Sequence, residues 1–335
     1  MYYRLRRHII IYTILLLISA RALYAQQKGA VIVVVPDNSS SRIKLGSGKL
    51  MIALLNAGYK VTISGKAGTS SKERMIVLEE SKTRNLAKEG YTINSSPNKI
   101  GITGNDASGV LYGCLELADE VRRNGKFPAA INITDHPEMV MRGTCIGLQK
   151  PYYLPGRTVY EYPYTPQTFP WFYDKKLWIQ VLDSMLENRM NSLYLWNGHP
   201  FASLVRLKDY PYAVEVDDAT FKKNEEMYRF LTTEADKRGI WVIQMFYNII
   251  VSKPFAEKHK IKTQDRERPI IPLIADYTRK SIAAFVQEYP NVGLMVCLGE
   301  AMEGTGHDDI EWFTKTIIPG VQDGLKALAK KNLSA

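Results

Sequence analysis

The chain has 335 residues, of which 45% are hydrophobic and 23% charged, enough apolar material for a large core or two domains and far from the composition of a disordered chain. Its formal net charge is +10, but the basic residues are spread through amphipathic stretches such as KKNEEMYRF, without the clustered patch that nucleic-acid binding requires. Cys114, Cys145 and Cys297 are widely spaced in apolar segments, which points to buried thiols and away from a zinc site, with one disulfide still open in an oxidising compartment.

Residues 1–25 read as a signal peptide. Arg4, Arg6 and Arg7 precede the apolar run IIIYTILLLISA, and RALYA ends on the small Ala25. The alternative is an uncleaved anchor, but the run is short against the roughly 20 residues a spanning helix needs. Cleavage removes Arg4, Arg6, Arg7 and Arg21 and no acid, leaving +6 of the original +10. The expected location is secreted or periplasmic, with no membrane association after cleavage.

AVIVVV (30–35) then reads as a buried strand and KLMIALLNAG (49–58) as a short helix closed by Gly58. YKVTIS and RMIVLE are further strands, and GYTINSSPNKIGITG reads as a hairpin turning at Ser-Ser-Pro-Asn. GSGK at 46–49 lacks the spacing of a phosphate loop and is expected to be a loop leading into the helix. DASGVLYGCLELADEVRR (106–123) is an amphipathic helix with Asp106 as its N-cap. Residues 26–136 therefore form a small α+β domain.

From residue 137 the texture becomes a regular βα alternation. The expected strands are MVMRGTCIG (139–147), SLYLW (192–196), IWVIQMFY (240–247) and VGLMVCLG from Val292; the expected helices cover 174–190, 217–239, 272–289 and 308–331, the last kinked at Pro319. Such alternation means parallel strands joined by helical crossovers. No G-x-G-x-x-G follows any strand, which disfavours a dinucleotide-binding sheet, and nothing in the sequence calls for a cofactor or metal.

The helix DASGVLYGCLELADEVR, followed by DHPEMVMRG opening a βα series, resembles the N-terminal domain and barrel entry of secreted family 67 α-glucuronidases and family 20 β-hexosaminidases. The resemblance implies an α/β protein: a small α+β domain followed over 137–335 by a (β/α) barrel, of which about four βα units are present. It implies a glycosidase acting on an oligo- or polysaccharide, with Glu300 as general acid and Arg142, at the end of the first barrel strand, as a ligand for sugar hydroxyls. The hexosaminidases place an Asp before the catalytic Glu, where this chain has Gly299. That disfavours acetamido-assisted chemistry and favours an α-glucuronidase-like, exo-acting polysaccharide-degrading hydrolase.

The residues make the same case on physical grounds. Barrel active sites form at the C-terminal ends of strands, and the apolar VGLMVCLG run ends on Glu300, an environment that disfavours a carboxylate and suits an acid. Glu303 in the same turn can orient it, but two carboxylates from one turn are badly placed to flank a sugar at the required separation of roughly 5 to 9.5 Å. The other strand ends deliver Asn197, His199, Tyr247 and Asn248, neutral hydrogen-bonding groups for hydroxyls. A uronate carboxylate would call for Arg142, His199 or a nearby lysine. Residues 150–173 hold nine aromatic residues, Trp171 among them, and five of the 16 prolines, a composition for stacking on sugar rings or for covering the barrel rim.

Closing such a barrel takes about eight strands, so a missing C-terminal half-barrel is an expected partner, the chain reads as a fragment, and its activity alone is in doubt. Two other classes remain open: a non-catalytic carbohydrate-binding protein that uses the aromatic segment, and a plain interaction domain.

Overall fold

The computed structural model describes residues 28–66, 74–82, 86–153, 155, 157, 162–266, 270–298 and 306–333. The signal segment, Glu300 and Glu303 lie outside the described residues. The chain divides into two compact units between Val140 and Met141.

The first unit is a six-stranded mixed sheet carrying two helices. Its elements are β1 (Ala30–Val34), α1 (Ser41–Asn56), β2 (Lys60–Ser64), β3 (Arg74–Glu80), β4 (Tyr91–Ser96), β5 (Lys99–Gly104), α2 (Ala107–Asn124) and β6 (Asn132–Asp135). The strand order is β2-β1-β3-β5-β4-β6. β1 pairs in parallel with β2 and β3, β3 pairs in parallel with β5, and the β4–β5 hairpin and β4–β6 are antiparallel. Asp106 does cap α2, accepting the Gly109 N–H at 2.9 Å. α1 begins eight residues before its expected start, because the Ser40 hydroxyl caps it and GSGK continues the helix. Gly46 lets the two helices approach closely: a Cβ on it would meet the Leu111 Cα of α2 at 3.1 Å. The glycine is thus a helix-contact device, not a loop.

The second unit is an α/β layer of four parallel strands in the order β10-β9-β8-β7, consistent with part of a barrel. Its elements are β7 (Gly143–Gly147), α3 (Lys175–Glu187), β8 (Ser192–Trp196), the single turn α4 (Phe201–Leu204), α5 (Asp218–Lys237), β9 (Trp241–Tyr247), α6 (Lys253–His259), α7 (Pro272–Glu288), β10 (Val292–Cys297), α8 (Gly306–Glu311) and α9 (Ile318–Leu333). The expected kink near Pro319 takes the form of a π-helical stretch, Trp312–Ile317, just before it, a common adjustment where the α-helical ladder is interrupted.

Strand alternation sorts the side chains. Leu193, Leu195, Val242 and Phe246 join Trp178, Tyr228, Tyr277 and Phe285 in one core between sheet and helices. The opposite face stays more open, with Cys145 exposed, Trp241 42% and Met295 47% exposed. The buried-thiol expectation therefore holds for Cys114 and fails for Cys145, which is exposed, and Cys297, which is half-buried; no disulfide joins them among the described residues. Their strands are apolar, but period-two alternation points Cys145 and Cys297 at the less covered face. Among the described residues no helix is long and apolar enough to cross a membrane.

β7 and β8 approach so closely at their start that a Cβ on Gly143 would lie 1.8 Å from the Ser192 carbonyl oxygen. Gly143→Ala should destabilise the protein by about 1–3 kcal/mol through overpacking, read by chemical denaturation. An unchanged unfolding midpoint would contradict this account of the β7–β8 contact.

Candidate active site

Parallel pairing sets the strand ends of the second unit side by side. Gly147 pairs with Trp196, Trp196 with Met245, and Tyr247 with Cys297. The residues that follow them share one rim of the sheet.

Asn197 follows β8 and is only 1% exposed. Its Nδ2 donates to the Leu148 carbonyl at 2.9 Å and the Tyr162 carbonyl at 3.2 Å, and its Oδ1 accepts the His199 N–H at 3.0 Å. Asn197 is therefore a clamp that holds the segment after β7 against the end of β8, and its amide is consumed by that work. His199 is half-buried, with Nε2 2.7 Å from the Tyr277 hydroxyl and its ring edge-on to Phe201. Burial, with the Glu215 charge adding and hydrogen bonding to Ser252 opposing, pushes the Tyr277 hydroxyl well above the usual phenol range. Tyr277 thus keeps its proton and fixes the His199 ring. Tyr247, half-buried, ends β9 with its ring 6.2 Å from Trp196 and its N–H on the Gly198 carbonyl; Asn248 beside it is buried.

Arg142 is not part of this group. The first strand runs from Gly143, so Arg142 precedes it and sits at the opposite, N-terminal end of the sheet. There its backbone N–H donates to Asn191 Oδ1 at 2.8 Å and its Nε to the Arg189 carbonyl at 2.8 Å. The apolar MVM stretch read as strand, but Met139, Val140 and Met141 are exposed and lie before the ladder. Arg142 ties the turn after α3 to the base of β7; it does not face a substrate on the C-terminal rim.

Trp171 also has another job. It lies in a 3₁₀ turn, Pro170–Tyr173, half-buried, with its ring 6.0 Å from Trp178 and 6.2 Å from Phe169. Tyr164, Phe169 and Phe172 are buried in the same core. Most described aromatics of the 150–173 segment therefore cover the barrel side, while Tyr152 and Tyr153 stay exposed at 56% and 52%.

Sequence reading missed a cluster at the rim. Arg157, in the segment after β7, forms an ion pair with Glu215, in the segment before α5. Glu215 also accepts the Lys253 N–H, after β9, at 2.8 Å. Both side chains are largely buried and line a narrow cleft with Tyr162, Asn197 and His199. One carboxylate thus joins three rim segments. No spacing in the sequence signals it, because its partners are 58 and 38 residues away. For a metal, the described residues offer His307, Asp308 and Glu311 with ligating atoms within 4.8 Å, but His307 is exposed and the Glu311 carboxylate is taken by Lys315.

Residues 28–136 match the family model described as glycosyl hydrolase family 20, domain 2. Over 90% of its length the chain is 58% identical, with a TM-score of 0.85, to a GH138 enzyme targeting pectin rhamnogalacturonan II, and covers 43% of that enzyme. A Flavobacterium johnsoniae chitobiase (17% identity, 89% of this chain, 48% of that one, TM-score 0.57) and a Bacteroides fragilis β-N-acetylhexosaminidase (14%, 89%, 61%, 0.57) share the fold. The chain thus spans less than two thirds of each of these proteins.

Asn197→Ala leaves the Leu148 and Tyr162 carbonyls without their donor, at a cost of roughly 1–3 kcal/mol. Hydrogen exchange of the 148–153 amides should accelerate in this variant while exchange in α5 holds. Unaltered exchange at 148–153 would show that Asn197 is not the clamp. By these matches in sequence and fold, the chain is related to the glycoside hydrolases, with a family 20 type domain 2 over residues 28–136.

Proposed function

We propose that this chain belongs to a glycosidase that cleaves a uronate-bearing glycan of the pectic class, exo-acting and α-glucuronidase-like in substrate chemistry. The supporting observation is the 58% identity over 90% of the chain with an enzyme whose described target is pectin rhamnogalacturonan II. Gly299 in place of the hexosaminidase Asp supports a mechanism without acetamido assistance.

In this reading Glu300, which follows β10 in sequence, protonates the leaving oxygen as the glycosidic bond breaks, and Glu303 orients it. The rim residues Asn197, His199, Tyr247 and Asn248 contribute to the sugar site in the same reading. A second carboxylate must serve as base or nucleophile. Glu215 does not fit that role, because Arg157 and the Lys253 N–H already hold it. We therefore assign the second carboxylate to a group other than Glu215. A carbohydrate-binding role without catalysis is the competing reading.

Replacing Glu300 by Gln in the complete enzyme should reduce turnover of a natural pectic glycan by about 10²–10⁴-fold, and that of an aryl glycoside with a good leaving group far less, since only the former needs a proton. Equal losses on both substrates would remove Glu300 from the acid role. Binding of the glycan with no turnover by any form of the enzyme would favour the competing reading.

A further inference from the structure

With Arg142 at the opposite end of the sheet, the expected cation for the proposed uronate is left to His199 or a nearby lysine. The rim itself supplies such a lysine. Lys150 stands three residues beyond the end of β7, where the Leu148 N–H still bonds the Trp196 carbonyl at 2.7 Å and the Leu148 carbonyl takes the Asn197 amide. Lys150 is half-buried, and its Nζ lies 5.2 Å from the centre of the Phe169 ring. No acidic partner reaches it among the described residues, whereas Arg157 on the same segment is neutralised by Glu215. A half-buried ammonium with an aromatic face on one side has donors left for an anion from outside.

The next residues fit that anion's ring. Pro151 stiffens the backbone, and Tyr152 and Tyr153 expose their side chains, rigid apolar surfaces of the kind that sugar C–H faces stack on. The segment is held in place: the Tyr152 carbonyl accepts the Tyr162 hydroxyl at 2.8 Å, and the Tyr162 carbonyl is held in turn by Asn197. The stacking surface, the cation and the clamp are thus contiguous.

We propose that Lys150–Tyr153 is the specificity segment for an acidic sugar, with the Lys150 ammonium taking the uronate carboxylate and an exposed tyrosine ring carrying the pyranose. This rests on the pectic reading above and names the group that would enforce it.

The test uses trigalacturonate and its methyl ester as probes, with binding to the protein followed by calorimetry or by tyrosine fluorescence. Lys150→Met should weaken trigalacturonate about tenfold or more, as loss of a charge-assisted hydrogen bond implies, and leave the methyl ester within twofold. Lys150→Arg should restore most of the affinity for the acid, and Tyr152→Ala with Tyr153→Ala should weaken both probes alike. Equal effects of Lys150→Met on the two probes, or none on either while wild type binds, would overturn the inference and leave the pectic reading standing. A wild-type protein that binds and cleaves neither probe nor any pectic glycan would overturn both.

Discussion

The parallel register of β7 to β10 is the constraint on which the rest depends. Pairing Gly147 with Trp196 and Tyr247 with Cys297 sends four successive chain segments out of one end of the sheet. Everything chemically useful in the second unit then follows from what those segments carry and what holds them still. The close passage of Gly143 against Ser192 lets β7 enter this register, and the Leu195 and Val242 side chains bury the helix-facing side behind it.

Buried polar groups tie the rim segments to one another. Asn197 spends its amide on two carbonyls and a backbone N–H, and Glu215 joins Arg157 to the start of α6 through Lys253. Buried hydrogen-bonded groups of this kind are costly to disturb, because each partner left unpaired retains its desolvation penalty. The rim is therefore pre-organised by these contacts, and groups left with spare donors or exposed rings, such as Lys150 and Tyr152, are the ones positioned to meet a ligand.

Most of the architecture was legible in the sequence because period and punctuation were strong. Helix α2 announced itself through Asp106 and its apolar stripe, and β8 and β9 fell close to their expected limits. The first barrel strand misled, since Met139, Val140 and Met141 are apolar yet exposed, and that error carried Arg142 to the wrong end of the sheet. Trp171 misled for the opposite reason: an aromatic segment looks the same whether its rings meet a sugar or Trp178. Asn197 was placed correctly at a strand end, but its role depends on Leu148 and Tyr162, 49 and 35 residues away. Long-range partners such as Glu215 leave no local pattern at all.

The central claim is that ligand chemistry belongs to the C-terminal rim of this sheet. Backbone chemical-shift mapping with an acidic pectic oligosaccharide tests it most directly. The account requires perturbations concentrated at residues 148–153, 197–199 and 247–248. Shifts gathered instead around Arg142 and residues 189–191, at the other end of the strands, would contradict it.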